Sequence, residues 1–469
     1  MSPLRSTPCP LFAGALLAMA LASSCGSKDD VPVPKPNVIV VVIDTLRADH
    51  LPFYGYGKDT APFLNSLAQR GVVFDRAWAP SSWTAPSAAS IFTGMYPLQH
   101  GVTQGLKLVK NIQQNVDPSL KINRIPSQIE TLPEFMSSLG YRTYGIADNP
   151  NITDEEGFQS GFEFFHTFEN DGGEKINGQL AQWAPQIKQD ENWFVYLHYM
   201  DPHFPYEPRK PWFEAPDGLV VPGPQELKAM DPEVARPVVS AMYDSEIRAA
   251  DEFIREAFEM IGADENTVVL FVADHGEGLY QRDGKLEHGF LLYSELLHVP
   301  FLIVHPGTKP ARSRVQVNVS LVDLLPTLRE ILGTPQSPLE NGESLVKHYM
   351  ASEPPANDRT IFSMRSRLEV FGGQRKRAVI HGNDKFIVTY TKEGEEFELF
   401  DIGNDWGELE DRALNEGQRV AELHRLWKQY EEQALNFDGE TSELNLSPEQ
   451  IRALESLGYV ESASEKDEE

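Results

Sequence analysis

Apolar residues along this chain form continuous runs that alternate with segments of helical spacing. The continuous runs cover residues 38–43, 72–74, 142–147, 193–199, 267–273 and 299–304. Such runs are typical of strands buried on both faces in a parallel sheet. Helical spacing predicts helices at residues 60–71, 131–140, 243–261 and 319–332. The alternation predicts an α/β fold, and the many prolines and charges of residues 208–237 predict a long surface excursion of the kind that forms a lid.

The pattern changes after a loop-rich boundary at residues 335–355. Polar and apolar residues then alternate, which predicts a small antiparallel sheet with strands at residues 378–380, 385–390 and 397–401. A helix at 418–435 and a short helix capped at Ser447 should follow, and the acidic residues 461–469 should be disordered. We therefore expect a large domain at residues 37–345 and a C-terminal α+β subdomain at 346–460.

The N-terminus has the pattern of an export signal. Arg5 precedes an apolar stretch at residues 11–22 that is too short to span a bilayer. Small residues followed by Cys25 resemble a bacterial lipoprotein processing site, which predicts a signal peptide at residues 1–24, a lipid on Cys25 and a tether at 25–36. The alternative is an ordinary secretory signal cleaved nearby. The expected location is the bacterial cell envelope, with a lipid anchor on the periplasmic side or in the outer membrane.

Composition excludes some partners. The chain of 469 residues carries a formal net charge of −29. So acidic a protein is not expected to bind nucleic acid, because that binding depends on neutralising phosphates with Lys and Arg. An anionic substrate group would have to be met locally, and a metal ion is the expected means. The other cysteine, Cys9, lies within the predicted signal peptide, so we expect no internal disulfide in the mature chain.

Residues 79–94 predict a loop that runs into a short helix. Pro86 suits the first helical turn, and Gly94 suits the position just past the last turn. Thr84 is then expected just before the helix N-terminus, where unpaired N–H groups and the positive end of the helix dipole favour a bound oxyanion. A hydroxyl at that place can attack a phosphoryl or sulfuryl centre, or Thr84 can simply cap the helix.

Two further polar segments end buried strands. Asp44 follows the run at residues 38–43, and Asp274 and His275 follow the run at 267–273. Ligands of open α/β sheets bind at the carboxyl ends of the strands, although Asp44 can also merely cap a turn. Together with Thr84, these side chains would offer three oxygens and one imidazole to a divalent cation. The candidate ions are zinc, manganese and calcium, with one or two ions bound. Such a cation would lower the pKa of the Thr84 hydroxyl.

Three more side chains suit proton donation: His203, Lys285 and His288. They would act on the non-bridging and leaving oxygens of an ester, or the histidines could hold a second metal. Any one of them alone is more often structural or solvated. The set favours a site because most of its members close a buried strand or follow one closely.

Several motifs resemble the sulfatase family of the alkaline phosphatase superfamily. They are DTLRADH (44–50), PSAASIFTG (86–94), DPHFPY (201–206), DHGE (274–277), HG (288–289), LYSELL (292–297) and LFD (399–401). The resemblance extends from about Pro36 to Leu435. It implies a mixed, mostly parallel sheet sandwiched by helices, with a small C-terminal antiparallel sheet and one or two divalent metals. It also implies a nucleophile at Thr84 and metal ligands at Asp44, Asp274 and His275.

Three positions depart from the pattern of this family. Sulfatases carry Cys or Ser at the nucleophile position and oxidise it to formylglycine. The β-carbon of Thr84 bears a methyl group, so its oxidation would give a ketone. The Arg found four residues after the nucleophile is Ala88 here, and the second acidic metal ligand is Thr45. A Thr nucleophile is similar instead to the phosphodiesterase and phospho-group transferase branches of the superfamily.

The leading prediction is therefore a metal-dependent phosphoesterase or phospho-group transferase of the cell envelope, with a covalent phosphothreonine at Thr84. The first alternative is a sulfatase that acts on sulfated glycans through Thr84 or water. The second alternative is a catalytically silent binding protein with the same fold. In the catalytic cases the substrate is an ester, with a glycan or a lipid-linked molecule as the expected class.

Overall fold

The structure is a computed structural model that describes residues 35–105, 123–216, 221–282, 284–365 and 375–435. The predicted signal peptide, most of the tether, the short helix capped at Ser447 and the acidic tail lie outside these residues. No helix in the described part of the chain is both long and apolar enough to cross a membrane.

The described strands and α-helices are numbered in chain order. The strands are β1 (Asn37–Ile43), β2 (Val72–Trp78), β3 (Arg142–Asp148), β4 (Phe164–Phe168), β5 (Trp193–Tyr199), β6 (Thr267–Ala273), β7 (Gly278–Leu279), β8 (Leu286–Glu287), β9 (His298–Val299), β10 (Phe301–Val304), β11 (Arg314–Ser320), β12 (Thr360–Met364), β13 (Arg375–His381), β14 (Asp384–Tyr390) and β15 (Glu395–Asp401). The helices are α1 (Pro62–Arg70), α2 (Thr84–Thr93), α3 (Pro97–His100), α4 (Leu132–Ser138), α5 (Gly173–Ile187), α6 (Pro224–Ala229), α7 (Pro232–Ile261), α8 (Ser294–Leu297), α9 (Leu324–Ile331), α10 (Val346–Met350) and α11 (Gly417–Leu435). Short 3₁₀ turns lie at Ala48–His50, Pro52–Tyr54 and Leu321–Asp323.

The large sheet is mixed and mostly parallel, as predicted, and helices flank it. Its strand order is β11-β2-β10-β6-β1-β5-β3-β4, and β9 pairs with β2 beside this path. Along the path, only β10 runs antiparallel to its neighbours. β1 lies in the middle, where Val41 pairs with Leu197 of β5 and Phe271 of β6. All side chains of β1 from Val38 to Ile43 are buried, which explains the unbroken apolar run.

The smaller sheet joins β12, β13, β14 and β15 in that order, and all of its ladders are antiparallel. Helix α11 covers it through Leu423 and Trp427, which belong to a hydrophobic cluster with Phe386. Ser363 of β12 ties it to the large sheet, because its Oγ donates a hydrogen bond to the Ala79 carbonyl at 2.6 Å. The predicted C-terminal antiparallel sheet is confirmed, and β12 is an additional strand that the sequence analysis did not find.

The helix predicted at residues 319–332 is partly wrong. Val319 and Ser320 belong to β11, and the α-helix begins only at Leu324, after a 3₁₀ turn. The first residues of β11 alternate between exposed and buried side chains, which is the period of a strand rather than of a helix. The Ser320 N–H donates to Asp323 Oδ2 at 2.7 Å, and this bond ends the strand and starts the turn.

Residues 208–237 contain more regular structure than predicted. Helix α6 lies within them, and α7 begins at Pro232 rather than at Tyr243 and continues for 30 residues. Asp231 caps α7 by accepting the N–H of Glu233 at 2.9 Å. Pro232 occupies the first helical position, where its missing N–H costs nothing. The lid stays a prediction.

Three of four central strands are followed directly by a polar residue at one edge of the large sheet. β6, β1, β5 and β3 are successive parallel neighbours, so their carboxyl ends lie side by side. The residues that follow these strands are Asp274, Asp44, Met200 and Asn149, respectively. This is the edge at which open α/β sheets bind ligands.

Candidate active site

Thr84, Asp44, Asp274 and His275 lie together at this edge, and all four side chains are buried. Thr84 Oγ1 donates a hydrogen bond to Asp44 Oδ2 at 3.3 Å and lies 3.4 Å from His275 Nε2. The same imidazole nitrogen is 3.7 Å from Asp44 Oδ1 and 3.5 Å from Asp274 Oδ2. The structure thus brings together the four residues that the sequence analysis grouped as candidate metal ligands.

Thr84 is the first residue of α2 rather than the residue before it, so its expected position shifts by one. Trp83 holds the N-cap position, and its side chain makes no capping hydrogen bond. The Thr84 hydroxyl contacts Asp44 and His275 instead of the helix backbone, which argues against a simple cap. Gly94 ends α2 in the left-handed conformation with a φ of 66°, as predicted. Every residue of α2 is buried, so core packing fixes the position of Thr84.

Two carboxylate oxygens at the site indicate that its residues fit a cation. Asp44 Oδ1 and Asp274 Oδ2 are buried and accept no hydrogen bond from the described residues. Buried carboxylates without partners are costly, and a cation would satisfy both oxygens. Asp44, His198 and Asp274 also offer ligand atoms that lie within 4.8 Å of one another. Carboxylate oxygens with imidazole nitrogens suit zinc or another divalent transition metal.

The electrostatics of the two carboxyl groups agree with this fit. Burial disfavours the charged form of Asp44, but a hydrogen bond from His198 and the nearby His275 and His203 hold its pKa below the usual range. Burial and the charge of Asp44 together raise the pKa of Asp274 well above its usual range. A bound cation would keep both carboxylates ionised.

A cavity of about 210 Å³ opens above Thr84. Its walls are formed by Trp83, Thr84, Asn149, Pro150, Asn151, Met200, His203, His288 and Gly289. The ring of His288 lies 4.9 Å from that of His203 and 4.5 Å from that of His275. The structure therefore places two of the three predicted proton donors, His203 and His288, in the wall of the cavity that Thr84 also lines.

Lys285 lies elsewhere, in the turn between β7 and β8. Its backbone N–H donates to the Arg282 carbonyl and its own carbonyl accepts from Tyr280, both at 2.9 Å. The side chain is half-buried and is not among the residues that line the cavity above Thr84. Its predicted role as a proton donor stays a prediction.

The other two positions that depart from the sulfatase pattern are Thr45 and Ala88, and in the structure both contribute to packing or to the backbone of the site. Thr45 has a φ of 57°, and its N–H donates to Asp274 Oδ1 at 3.3 Å. Its carbonyl accepts a hydrogen bond from Tyr243 at 2.7 Å, so helix α7 holds this turn in place. Ala88 is fully buried in the hydrophobic core, so its position contributes no polar group to the cavity.

Sequence reasoning missed two residues that contact Asp44. Asn149 donates to Asp44 Oδ2 through Nδ2 at 2.6 Å. His198 lies in the interior of β5, and its Nε2 is 3.2 Å from the same oxygen. The available signals were the position of Asn149 at a strand end and the presence of an imidazole within the otherwise apolar run at residues 193–199.

Comparison with known proteins gives related sequences. The family model for sulfatases matches residues 36–334 of this chain. An ulvan-active sulfatase from Formosa agariphila is 25% identical over 343 residues, which are 63% of this chain and 61% of that protein. The chain therefore spans less than two thirds of this relative. A Delta 4,5-hexuronate-2-O-sulfatase from Bacteroides thetaiotaomicron is 22% identical over 424 residues, which are 81% of this chain and 85% of that protein.

Solved structures share the architecture. A 2-O GAG sulfatase superposes with a TM-score of 0.67 and 19% identity, and the match covers 89% of this chain and 96% of that one. At this identity the likeness concerns the fold. The family match covers well over half of the chain and includes Asp44, Thr84, Asp274 and His275. The chain belongs to the sulfatase family of the alkaline phosphatase superfamily.

Proposed function

We propose that this sulfatase-family hydrolase cleaves sulfate esters of glycans. The observation that carries the proposal is the buried group of Asp44, Asp274 and His275 around the Thr84 hydroxyl. Similar proteins named as an ulvan-active sulfatase and a hexuronate sulfatase support a sulfate ester on a glycan. The phosphoester function that the sequence analysis ranked first becomes the second candidate.

Asp44, Asp274 and His275 would hold a divalent cation, with the Thr84 oxygen beside it. When bound, such a cation supplies positive charge that favours ionisation of a hydroxyl and stabilises charge on the transferring group. The burial of these residues strengthens that effect, because charges interact more strongly away from bulk water. Zinc, manganese and calcium are the ions to test.

Thr84 is the proposed nucleophile, and a water molecule held beside it is the alternative. In the first route the bond from Thr84 Oγ1 to sulfur forms while the bond from sulfur to the glycan oxygen breaks. The Thr84 proton passes to His203, which lines the same cavity, while His288 donates a proton to the departing glycan oxygen. Water then attacks the sulfur of the threonine sulfate and passes a proton to His288. Sulfate is released as His203 returns its proton to the Thr84 oxygen.

Phosphoester hydrolysis or phospho-group transfer is the second candidate, and the identity of Thr84 favours it. The methyl group on its β-carbon prevents formation of the aldehyde on which typical sulfatases depend. A threonine hydroxyl can form a phosphothreonine directly, with the same proton transfers to His203 and from His288. The cavity residues serve either ester, since both present tetrahedral oxyanions.

Matched chromogenic esters test both candidates. Purified protein is stripped of metal, reloaded with zinc, manganese or calcium, and offered a sulfate ester, a phosphodiester and a phosphomonoester. We expect metal-dependent sulfate release that falls by about three orders of magnitude in Thr84→Ala. Thr84→Ser keeps the hydroxyl and should remain within about tenfold of the wild type.

The other outcomes separate the alternatives. Cleavage of phosphate esters without sulfate release would establish the second candidate. Full activity of Thr84→Ala would assign the attack to water rather than to Thr84. Failure of every ester with every metal, while sulfated glycans still bind, would favour a non-catalytic binding protein.

We also propose that the protein is exported and anchored in the cell envelope through a lipid on Cys25. Arg5, the apolar stretch at residues 11–22 and the small residues before Cys25 support this location. Metabolic labelling with palmitate is expected to mark the wild type and to leave Cys25→Ala unlabelled. Equal labelling of the two would contradict the anchor.

A further inference from the structure

Asn149 lies at the centre of the candidate site, and the proposed function gives it no role. It directly follows β3, at the edge where the strands carrying Asp44 and Asp274 end. Its side chain is 1% exposed, yet it forms part of the wall of the cavity above Thr84. Asn149 therefore combines a buried, fixed amide with access to a bound substrate.

The orientation of the Asn149 amide is fixed by its own backbone turn. Its Oδ1 accepts the N–H of Asn151 at 2.8 Å, the two-residue pattern of an Asx turn. The oxygen therefore faces the loop, and Nδ2 faces the site. Nδ2 lies 2.6 Å from Asp44 Oδ2, 3.4 Å from Thr84 Oγ1 and 3.3 Å from Met200 Sδ.

The two oxygens of Asp44 have different surroundings. Oδ2 faces donors from Asn149 at 2.6 Å, His198 at 3.2 Å and Thr84 at 3.3 Å. Oδ1 has no hydrogen-bond partner among the described residues and lies 3.7 Å from His275 Nε2. The donors on Oδ2 thus fix the rotation of the carboxylate and leave Oδ1 directed at the proposed cation.

A hydrogen-bond donor on the Thr84 oxygen would stabilise the negative charge that develops there when the proton leaves. Its hydroxyl hydrogen is directed to Asp44, so its oxygen can accept a hydrogen bond from Asn149. An amide serves this purpose because it donates without adding charge. The arginine expected at Ala88 is absent, and that position lies in the core.

The geometry points to Asn149 as a catalytic residue of the proposed reaction. One N–H of its amide holds Asp44 Oδ2 so that Oδ1 faces the cation. The other N–H donates to Thr84 Oγ1, the oxygen that forms the new ester bond. The role at Thr84 rests on the proposed function. The role at Asp44 concerns metal binding alone, so it can be tested even if no ester is cleaved.

Three variants of the full chain test this inference. Asn149→Ser can still accept the Asn151 N–H through its hydroxyl, but its side chain is too short to reach Asp44. Asn149→Ala loses the contact with Asn151 and the contact with Asp44. Asn357→Ala is the matched control, because it removes an amide that bonds the Gly382 carbonyl and the Asn318 N–H away from the cavity. Calorimetric titration of metal-stripped protein with Mn²⁺ gives the affinity, and steady-state assays give kcat and KM.

We expect both Asn149 variants to bind Mn²⁺ at least about tenfold more weakly than the wild type. In both, kcat should fall by about a hundredfold while KM stays within about threefold. The control should keep the wild-type affinity and kcat. Melting of the metal-free proteins checks that the three variants are folded.

Contrary results are distinguishable. Asn149→Ser with wild-type affinity and kcat would show that only the turn matters, and the inference would be wrong. If wild-type protein cleaves none of the esters, the proposed function fails, and the Mn²⁺ affinities alone decide the role at Asp44. If affinity falls but kcat at saturating Mn²⁺ does not, the contact with Thr84 is overturned.

Discussion

His100 connects α2, the helix that begins with Thr84, to the chain that follows it. Its Nδ1 accepts the N–H of Val102 at 3.1 Å, and its Nε2 lies 3.0 Å from Ser90 Oγ. Ser90 Oγ in turn donates to the Pro86 carbonyl at 2.9 Å. Burial lowers the pKa of His100 from 6.5 to about 3, so the imidazole is neutral in the folded protein.

This lowered pKa predicts a pH dependence of stability. Between about pH 3 and 6.5 the unfolded chain binds a proton at His100 that the folded chain does not. The free energy of unfolding should therefore fall as the pH drops below about 6.5, with a contribution of up to about 1.4 kcal/mol per pH unit. Urea unfolding from pH 4.5 to 7.5 measures it. His100→Gln should give a correspondingly shallower slope, and parallel curves for the two proteins would contradict the prediction.

Part of the site could be predicted at the level of residues. Asp44, Asp274 and His275 follow apolar runs, and the end of a run is visible in the sequence. Asn149 and His198 were missed because their roles depend on strand order. β3 and β5 lie near β1 only in the folded sheet, and local patterns do not record which strands become neighbours.

At the level of elements, burial decided which predictions succeeded. β1, β5 and β6 are buried along almost their whole length and gave unmistakable apolar runs. β4 was missed because it is an edge strand whose side chains are mostly half-buried, without a clear period of two. The early turns of α7 were missed because Pro237 reads as a helix breaker, although the folded helix contains it.

Gly276 lies in the turn after β6, and its close packing against α8 can be tested by a single substitution. The N–H of Gly276 donates to the Leu296 carbonyl at 2.9 Å, and a Cβ at this position would lie 2.1 Å from the Glu295 carbonyl oxygen. Gly276→Ala must therefore push the turn away from α8 and displace the adjacent His275. We expect a loss of about 1–3 kcal/mol in stability and weaker metal binding.

Gly178 in α5 is the matched control, because a Cβ there would meet no atom within 4 Å. Gly178→Ala should raise the free energy of unfolding by up to about 1 kcal/mol and leave metal affinity unchanged. Urea unfolding and Mn²⁺ titration of both variants measure these effects. A Gly276→Ala protein with wild-type stability and affinity would refute the packing argument.

For the whole molecule, the stability of the fold should depend on bound metal, because the carboxyl groups of Asp44 and Asp274 are buried at the ends of two central strands. A cation that binds only the folded protein stabilises it by about 2.7 kcal/mol at a hundred times its Kd. We expect Mn²⁺ or Zn²⁺ to raise the Tm of metal-stripped protein, and a chelator to reverse the change. Asp274→Asn replaces a carboxyl group whose ionisation is opposed by burial and by Asp44, so its metal-free Tm should be no lower than that of the metal-free wild type. The Tm of this variant should also rise little when metal is added. If metal leaves the Tm of the wild type unchanged, no cation binds at this site.

The net charge of −29 predicts an effect of salt on catalysis. A polysulfated glycan is repelled by so acidic a protein, and this repulsion extends about 30 Å at 10 mM salt but only about 8 Å at 150 mM. The value of kcat/KM for such a substrate should therefore rise with ionic strength. A small chromogenic ester with a single charge is the control and should change less. A fall with salt would instead indicate attractive steering by local cationic groups.

The central position of β1 has a consequence for the newly made chain. Residues 37–43 leave the ribosome early, but their partner strands begin only at Trp193 and Thr267. This apolar strand thus lacks its first neighbour until residue 199 of 469 has been synthesised, and its second until residue 273. Pairing between such distant segments is slow, and an exposed apolar strand is prone to aggregate. Strand order therefore delays completion of the central sheet until both partner strands of β1 have been synthesised.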